Sequence, residues 1–377
     1  MIDYLGNFQS TIKNIWEKSG FQEETAIQKA VVTPILKGKD IIAHSPTGTG
    51  KTIAYLLPVL EKIQTDSKSL QVVVLAPSRE LVMQIFQEVQ KWTAGTEIKA
   101  ASLVGGANIK RQLDRLKDKP HIVVGTPGRI LELIQMKKLK MHEVQAIVLD
   151  EGDQLLGNEH LNTVRTIVKS TLNDRQLLLF SATPLQDDDQ IAAMTGRKPE
   201  MVKIERNETA SSKVEHSYLL CEPRERAKLL KKMAFMDGLK ALVFVRDVGN
   251  LAVLAEKLAY EQVPVAILHS ELSKSERERS LRAFREGEIH LLLATDIAAR
   301  GLDIEGITHV IHHDFPADID QYIHRSGRTG RMGAKGTIVS LVTPRDVREL
   351  RKYGRQHGFD VQQRRIHAGK FVEAKQK

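Results

Sequence analysis

The sequence predicts two α/β domains in tandem, each a doubly wound parallel sheet covered by helices. Three observations support this fold class. The chain has 377 residues, which is enough for two domains with a core each. Short runs of β-branched residues alternate with longer helical patterns, as is typical of parallel sheets. The series of expected strands also begins a second time near the middle of the chain.

The expected strands of the first half have the sequences DIIAHS, QVVVLAP, HIVVGTP, AIVLDE and QLLLFSAT. Those of the second half are HSYLLC, ALVFV, VAILHS, IHLLLATD, THVIHH and GTIVSLV. The polar stretch RNETASSK at 206–213 has no apolar period and is expected to be a linker. We therefore expect a first domain at 1–205, a second at 214–363 and a short basic tail at 364–377.

Composition excludes several classes of protein. No apolar run reaches the roughly 18 residues of a membrane helix, and no signal peptide is recognisable, so we expect a cytoplasmic protein without a membrane partner. The single cysteine, Cys221, excludes an intramolecular disulfide framework. The cluster His309, His312 and His313 is expected to be structural or solvated, not a metal site. Nothing marks a dimer surface, so we expect a monomer.

The net charge of +9 is concentrated in the second half of the chain. Residues 206–377 contain 30 Lys and Arg against 23 Asp and Glu, whereas residues 1–205 contain 26 against 24. A basic surplus favours polyanionic partners because cations neutralise phosphates and release counterions. The balance permits a nucleic-acid partner but does not establish one.

The segment SPTGTGKT follows an expected strand and precedes a helical pattern, which is the context of a phosphate-binding loop. Gly48 and Gly50 allow the backbone to wrap around phosphates. Lys51 is expected to reach the β- and γ-phosphates, and the Thr52 hydroxyl to bind Mg²⁺. The whole expected nucleotide loop consists of Ser45, Thr47, Gly48, Thr49, Gly50, Lys51 and Thr52.

Asp150 and Glu151 follow the expected strand AIVLD, about a hundred residues after the phosphate loop. A strand-terminal aspartate can hold Mg²⁺ while the adjacent carboxylate positions and deprotonates a water. Together with the phosphate loop, this pair predicts an ATPase that uses ATP and Mg²⁺. Asp150 and Thr52 are the expected metal-binding residues.

Nine segments in register make the sequence resemble the DEAD-box RNA helicases over nearly its whole length. In chain order they are GFQEETAIQ at 20–28, SPTGTGKT at 45–52, APSREL at 76–81, GG at 105–106, TPGR at 126–129, DEGD at 150–153, SAT at 181–183, ATDIAARGLD at 294–303 and YIHRSGRTGR at 322–331. The resemblance implies that both domains are RecA-like. It also implies ATP-dependent local unwinding of RNA, with single-stranded and short duplex RNA as partners.

The resemblance also implies roles for residues around the nucleotide. Phe21 is expected to stack on adenine and Gln28 to bind it through its amide. Asp303 is expected to contact the ribose, and Arg325 and Arg328 to stabilise charge on the transferred phosphoryl group, so that catalysis requires closure of the two domains. A coupling set is expected to connect hydrolysis to the state of the enzyme: Asp153, Ser181, Thr183 and His324.

RNA is expected to lie on both domains, bound mainly through its phosphates and therefore with little sequence preference. The resemblance places these contacts at Pro77, Arg79, Gly105, Gly106, Thr126, Arg129, Arg277 and Thr295. Minimal relatives of this kind suggest a role on pre-ribosomal particles, in ribosome biogenesis, or in RNA handling in the cold.

The sequence departs from the family pattern at Gly152, where the family has alanine. No ligating atom is lost, and we expect a looser turn with activity retained. Two other functions stay open. A DNA helicase on the same core would be recognised by independence from the RNA 2′-hydroxyl. An RNA clamp with an ATPase weakened by Gly152 would hold RNA with ATP but without turnover.

Overall fold

Parallel β-sheets form the centre of each half of the chain in the computed structural model. The structure describes residues 10–18, 23–46, 48–183, 194, 198–204, 214–299, 304, 306–330 and 334–374. The chain divides into two units, Met1–Glu205 and Arg206–Lys377. The expected linker at 206–213 lies outside the described residues.

The first unit has a seven-stranded sheet in the order β3-β4-β2-β5-β6-β1-β7, and all its pairings are parallel. Its strands are β1 (Ile41–His44), β2 (Val72–Leu75), β3 (Ala100–Leu103), β4 (Ile122–Gly125), β5 (Ala146–Asp150), β6 (Gln176–Ser181) and β7 (Glu200–Lys203). Its helices are α1 (Ser10–Lys18), α2 (Ala26–Leu36), α3 (Lys51–Glu61), α4 (Arg79–Trp92), α5 (Ile109–Leu116), α6 (Pro127–Gln135), α7 (Gly152–Leu155) and α8 (Leu161–Lys169).

The second unit has an eight-stranded sheet in the order β10-β11-β9-β12-β13-β8-β14-β15. Its strands are β8 (Val214–Leu220), β9 (Ala241–Phe244), β10 (Val265–Leu268), β11 (Leu291–Ala294), β12 (His309–His312), β13 (Gly336–Val342), β14 (Val361–His367) and β15 (Lys370–Glu373). Its helices are α9 (Arg226–Ala234), α10 (Val248–Tyr260), α11 (Lys274–Glu286), α12 (Asp296–Ala299), α13 (Ile319–Ser326) and α14 (Pro344–His357). Only the β14–β15 pairing is antiparallel among these strands.

Alternating strand residues supply a core on each face of each sheet. In β2, Val72 and Val74 belong to the core that includes α2, α3 and α4, whereas Val73 and Leu75 belong to the core that includes α6 and α8. The second unit repeats the plan, with α11, α13 and α14 on one face and α9 and α10 on the other. This two-sided burial explains why the strands read as continuous apolar runs.

Trp16 of α1 and Trp92 of α4, the two tryptophans of the chain, pack together in the first unit. Their ring centroids are 6.1 Å apart, and both side chains are buried. The Trp92 indole N–H donates to a Glu88 carboxylate oxygen at 3.0 Å. This pair attaches the first helix to the core of the first unit.

The structure confirms the expected fold class, and all eleven expected strands are present. It adds β3, β7, β14 and β15, which lack long apolar runs. The expectation of a tail from residue 364 is wrong, because that boundary falls inside β14. Residues 364–373 continue β14 and form β15, and Arg364 pairs with Glu373 across this hairpin.

No helix in the part of the chain that the structure describes could cross a membrane. His312 is fully buried and its Nδ1 lies 3.0 Å from the Ser340 hydroxyl, which is a structural contact. Among the described residues, no group of His, Cys, Asp and Glu has the arrangement of a metal site.

Candidate functional site

A glycine-rich loop connects β1 to α3 in the first unit. Gly48 and Gly50 have φ angles of 78° and 87°, a region that glycine adopts without a steric cost. Lys51 Nζ donates to the Ser45 carbonyl at 2.5 Å and to the Pro46 carbonyl at 2.9 Å. The Thr49 hydroxyl also donates to Pro46. The loop therefore curves around its own lysine, as a phosphate cradle at a helix N-terminus requires.

Gln28 lies directly against this loop. It is only 4% exposed, and its Oε1 accepts a hydrogen bond from the Thr25 backbone N–H at 2.9 Å. A Cβ atom at Gly50 would lie 3.0 Å from Gln28 Nε2. Gln28 thus closes the start of α2 and places it beside the phosphate loop. Two other expected nucleotide contacts, Phe21 and Thr47, lie outside the described residues.

Asp150 ends β5 and is only 4% exposed. Its carboxylate accepts hydrogen bonds from the Tyr55 hydroxyl at 2.9 Å and from the Glu151 backbone N–H at 3.0 Å. Burial and the neighbouring Glu151 charge raise the pKa of Asp150 to about 6, against the opposing effects of Lys51 and Tyr55. Tyr55 follows Lys51 by one helical turn. Helix α3 therefore begins at the phosphate loop and also contacts the acidic end of β5.

The Thr52 side chain lies close to the hydroxyl of the same tyrosine. Thr52 and Asp150 therefore both have side-chain oxygen atoms near the Tyr55 hydroxyl. Mg²⁺ prefers oxygen ligands, so the donor set fits the expected metal.

Glu151 has a left-handed backbone conformation, with φ 54° and ψ 53°. Non-glycine residues seldom adopt this conformation, and it often occurs at functional positions. The Gln154 side-chain amide donates to Glu151 Oε2 at 2.9 Å. The carboxylate expected to act as a base is therefore fixed by its own backbone and by a residue three positions later.

The strand ends of β5 and β6 are connected through side chains. The Thr183 hydroxyl donates to Asp153 Oδ2 at 2.6 Å, and the Ser181 hydroxyl donates to the Thr183 carbonyl at 2.5 Å. The structure thus brings together three of the four residues expected to couple hydrolysis to other events.

Gly152 lies between the acidic residues and is buried. A Cβ atom there would lie 2.7 Å from Leu179 Cδ2 and 2.8 Å from Leu179 Cγ. Leu179 therefore occupies the space that a methyl group at this position would fill, whereas the looser turn stays a prediction.

The residues expected to bind RNA in the first unit meet at the carboxyl ends of β2, β3 and β4. The Arg79 guanidinium covers Gly106, where a Cβ atom would clash with Arg79 Nη2. The Gly105 N–H donates to the Thr126 hydroxyl at 3.3 Å. Pro77 is half-buried just before α4. Three separate segments therefore form one surface.

Arg129 also belongs to this surface and is only 7% exposed. Its Nη2 donates to the Ala107 carbonyl at 3.3 Å, and its Nε is 2.9 Å from a Glu132 carboxylate oxygen. Its buried Nη1 has no hydrogen-bond partner among the described residues. A buried guanidinium with an unused donor suits a phosphate oxygen.

Arg325 of the second unit is only 3% exposed and is held within that unit. Its Nε and Nη2 donate to the two Asp296 carboxylate oxygens at 2.7 Å each, and its Nη1 donates to the Asp314 carbonyl at 2.7 Å. This geometry does not fit the expectation that Arg325 reaches a phosphoryl group, because its three nitrogens already bind local acceptors.

Arg328 lies one turn further on and is also buried; its Nε donates to the His324 carbonyl at 3.3 Å. Arg277 Nη2 donates to the Ala298 carbonyl at 3.1 Å. Thr295, also expected to bind RNA, is buried just after β11. Asp303, the expected ribose contact, lies outside the described residues.

Comparison with known proteins agrees with this arrangement. Residues 25–191 match the model of the DEAD/DEAH box helicase family, and residues 225–333 match that of the helicase conserved C-terminal domain. The chain is 54% identical over 372 residues to "Probable ATP-dependent RNA helicase YfmL" of Bacillus subtilis strain 168, covering 99% of this chain and 98% of that protein. The chain belongs to the DEAD-box ATP-dependent RNA helicases.

Other relatives of this helicase agree. The DEAD-box ATP-dependent RNA helicase CshC of Bacillus cereus strain ATCC 14579 is 52% identical, with 99% of this chain and 96% of that protein covered. The S. cerevisiae Dbp5 structure bound to RNA and ADP BeF3 is 30% identical with a TM-score of 0.86, and 96% of this chain and 94% of that chain are covered. The structure of Mss116 bound to ssRNA and UDP-BeF is 25% identical with a TM-score of 0.84, covering 96% of this chain and 79% of that chain. These matches confirm two RecA-like domains.

Sequence reasoning missed three residues of the helicase site: Tyr55, Gln154 and Asp296. Tyr55 could have been found from its spacing, since it follows Lys51 by four residues in the helix after the phosphate loop. Gln154 has the same relation to Glu151 at a spacing of three. Asp296 carried no such signal, because its partner Arg325 is 29 residues away.

Proposed function

We propose that this helicase hydrolyses ATP at the carboxyl edge of the first unit's sheet and uses the cycle to separate short RNA duplexes locally. The observation that carries the proposal is the contact between α3 and β5. Through Tyr55, the helix that begins with Lys51 is hydrogen-bonded to Asp150. The residues that bind phosphate and the acidic pair Asp150 and Glu151 are therefore held together as one constellation.

Within that constellation the backbone N–H groups around Gly48 and Gly50 bind the phosphates, and Lys51 moves from its loop carbonyls to the β- and γ-phosphate oxygens. Glu151 accepts a proton from the attacking water, and Gln154 keeps its carboxylate oriented. Gln28 binds adenine from its position beside the loop.

Thr52 and Asp150 would hold Mg²⁺, which supplies neutralisation of phosphate charge when it is bound. Tyr55 orients Asp150 through its hydroxyl and lies close to Thr52. Because burial raises the pKa of Asp150 to about 6, the carboxylate is mainly ionised at neutral pH and available as a ligand.

In the second unit, Arg328 contacts the transferred phosphoryl group and Asp303 contacts the ribose. Arg325 has a positioning role. Its ion pair with Asp296 connects α13, which contains Arg325, to the segment after β11. As the resemblance implies, hydrolysis then depends on closure of the two domains. The hydrogen bond from Thr183 to Asp153 transmits the state of the site to the end of β6.

RNA phosphates bind to the surface formed by Arg79, Gly105, Gly106, Thr126 and Arg129, and to Arg277 and Thr295 in the second unit. Such contacts fix the strand without reading its bases. Binding of one bent strand excludes its complement over a few base pairs. Cytoplasmic location and a monomeric state remain predictions from the sequence, and a role on pre-ribosomal particles or in the cold remains a prediction from the resemblance.

Steady-state hydrolysis of Mg-ATP tests the proposal, measured alone, with single-stranded RNA and with DNA of the same sequence. We expect strong stimulation by RNA only. Glu151→Gln should bind ATP and RNA but hydrolyse ATP at least a hundredfold more slowly, by roughly the 10²–10⁴ that general-base catalysis contributes. Glu159→Gln, on an exposed side chain of the same unit, is the matched control.

Three results would contradict the proposal. Equal stimulation by DNA would favour a DNA helicase. ATP-dependent RNA binding without turnover in the wild type would favour an RNA clamp. Wild-type turnover in Glu151→Gln would exclude Glu151 as the base.

A further inference from the structure

Helix α14 separates its charges by side. At 3.6 residues per turn, Arg348, Arg351 and Arg355 lie on one exposed side, whereas Asp346 and Glu349 lie on the opposite flank. No ion pair involves these three arginines among the described residues. Uncompensated arginines on one side of a helix form a local positive field.

The arginine side of α14 continues onto strand β14. Arg351 Nη2 lies 3.5 Å from the Tyr218 hydroxyl of β8, and that hydroxyl lies 3.3 Å from Gln363 Oε1 of β14. Arg365 is two residues beyond Gln363, so it projects from the same face of the sheet. Arg365 is exposed and has no ion pair among the described residues.

Connectivity determines which arginines are neighbours. Helix α14 connects the parallel strands β13 and β14, so it runs antiparallel to them. Moving from Gln363 to Arg365 covers about 6.6 Å of strand. Moving back from Arg351 to Arg348 covers about 4.5 Å of helix in the same direction. Arg348 and Arg365 are therefore nearly level. We call Arg348, Arg351, Arg355 and Arg365 the basic face.

The neighbouring arginine of β14 behaves differently. Arg364 points to the other face of the sheet, where its Nε is 2.9 Å from a Glu215 carboxylate oxygen and its Nη1 is 3.5 Å from Glu373. Its charge is thus compensated within the fold. Of these two consecutive arginines, only Arg365, on the basic face, is available to bind an external anion.

The basic face is separate from the RNA-binding motifs of the second unit. Thr295 follows β11, and five strand-to-strand steps separate β11 from β14, which is about 24 Å. Residues 344–377 contain ten Lys and Arg against four Asp and Glu. This excess of six accounts for most of the excess of seven in residues 206–377, so the positive charge of the second half is concentrated here.

We propose that the basic face binds phosphates of RNA outside the stretch held by the motifs. The proposal rests on RNA being the substrate of the helicase. Guanidinium groups bind phosphate oxygens through paired N–H donors, and backbone phosphates recur along a strand at short intervals. Neighbouring structured or single-stranded RNA is thereby tethered near the site of unwinding.

The test uses the full chain with Arg348, Arg351 and Arg365 all changed to Gln. The control variant carries Arg224→Gln, Lys232→Gln and Lys257→Gln, which remove the same charge from exposed positions on or beside α9 and α10, on the other face of the sheet. Fluorescence anisotropy measures binding of a short oligouridylate that only spans the motifs and of a long one. Both are titrated over a range of salt concentrations.

We expect the basic-face variant to bind the long RNA roughly tenfold more weakly. The negative slope of log K against log salt should become shallower by about 2, because each lost phosphate contact in single strands contributes about 0.7. Binding of the short RNA and RNA-independent ATP hydrolysis should match the wild type. The control variant should keep the steeper slope.

Other outcomes overturn the inference. An unchanged slope for the long RNA excludes phosphate contacts at this face. Equal weakening of the short and long RNA shows a general charge effect. Loss of polyglutamate binding with unchanged RNA binding assigns the face to an acidic protein. Absence of RNA binding by the wild type instead refutes the proposed function, so the two failures are distinguishable.

Discussion

Substitution of Gly152 by alanine restores the family residue but should destabilise this protein. The added Cβ would lie 2.7 Å from Leu179 Cδ2 and 2.8 Å from Cγ, about 1 Å closer than the usual contact between carbon atoms. Cγ is not the free end of a flexible chain, so Leu179 or the turn has to move. Such overpacking costs about 1–3 kcal/mol.

One effect opposes this cost. Alanine favours the helical conformation over glycine by up to about 1 kcal/mol, and Gly152 is the first residue of α7. We therefore expect a net loss of about 1–2 kcal/mol. For a unit of about 200 residues this lowers the melting temperature by about 2–8 °C. Differential scanning calorimetry of the full chain measures it.

A double-mutant cycle identifies the cause. Leu179→Ala alone should cost about 2–5 kcal/mol because it leaves a cavity. In that background, the methyl group introduced by Gly152→Ala enters free space, so the two substitutions should couple by at least about 1 kcal/mol. A Gly152→Ala protein that melts at or above the wild-type temperature, or additive effects in the cycle, would refute the reasoning.

Three further predictions concern the buried polar groups. Tyr55→Phe removes a hydrogen bond that lowers the pKa of Asp150, so the acid limb of the pH profile of kcat/KM should move from near pH 6 upward by about one unit; an unmoved limb would exclude this role. Arg325→Ala leaves Asp296 without its buried partner and should cost about 3–5 kcal/mol in urea unfolding, and a loss below 1 kcal/mol would contradict a structural role. Burial, with nearby positive charge, holds the pKa of His312 well below its usual range. As the pH falls below about 6.5, the unfolded chain therefore binds one proton more than the folded chain, and the free energy of unfolding should decrease; His312→Gln should lack this part of the decrease.

The sequence predicted the fold well because buried parallel strands leave a strong signal. Runs such as VVVL and LLLA are apolar on both sides, and the structure buries both sides. β7 and β14 were missed because they lie towards the sheet edges and carry polar residues. Edge position depends on the tertiary arrangement, which periodicity does not contain.

The candidate site divides in the same way. The positions of Lys51, Asp150 and Arg79 at a helix start or a strand end were predictable, because the backbone there has a specific form that leaves glycines and strand ends in the sequence. The pairing of Arg325 with Asp296 was not predictable. The sequence around an arginine is the same whether the arginine binds a ligand or a carboxylate of its own domain. The contact between Leu179 and Gly152 was likewise not predictable, because it depends on the pairing of β5 with β6.

The packing of Trp16 against Trp92 gives the protein a reporter confined to one unit. Both indoles are in the first unit, so tryptophan emission follows unfolding there while the second unit is silent. Backbone circular dichroism follows both units. The difference between the two signals would separate the stability of the two units in a single intact chain, without labels or truncation.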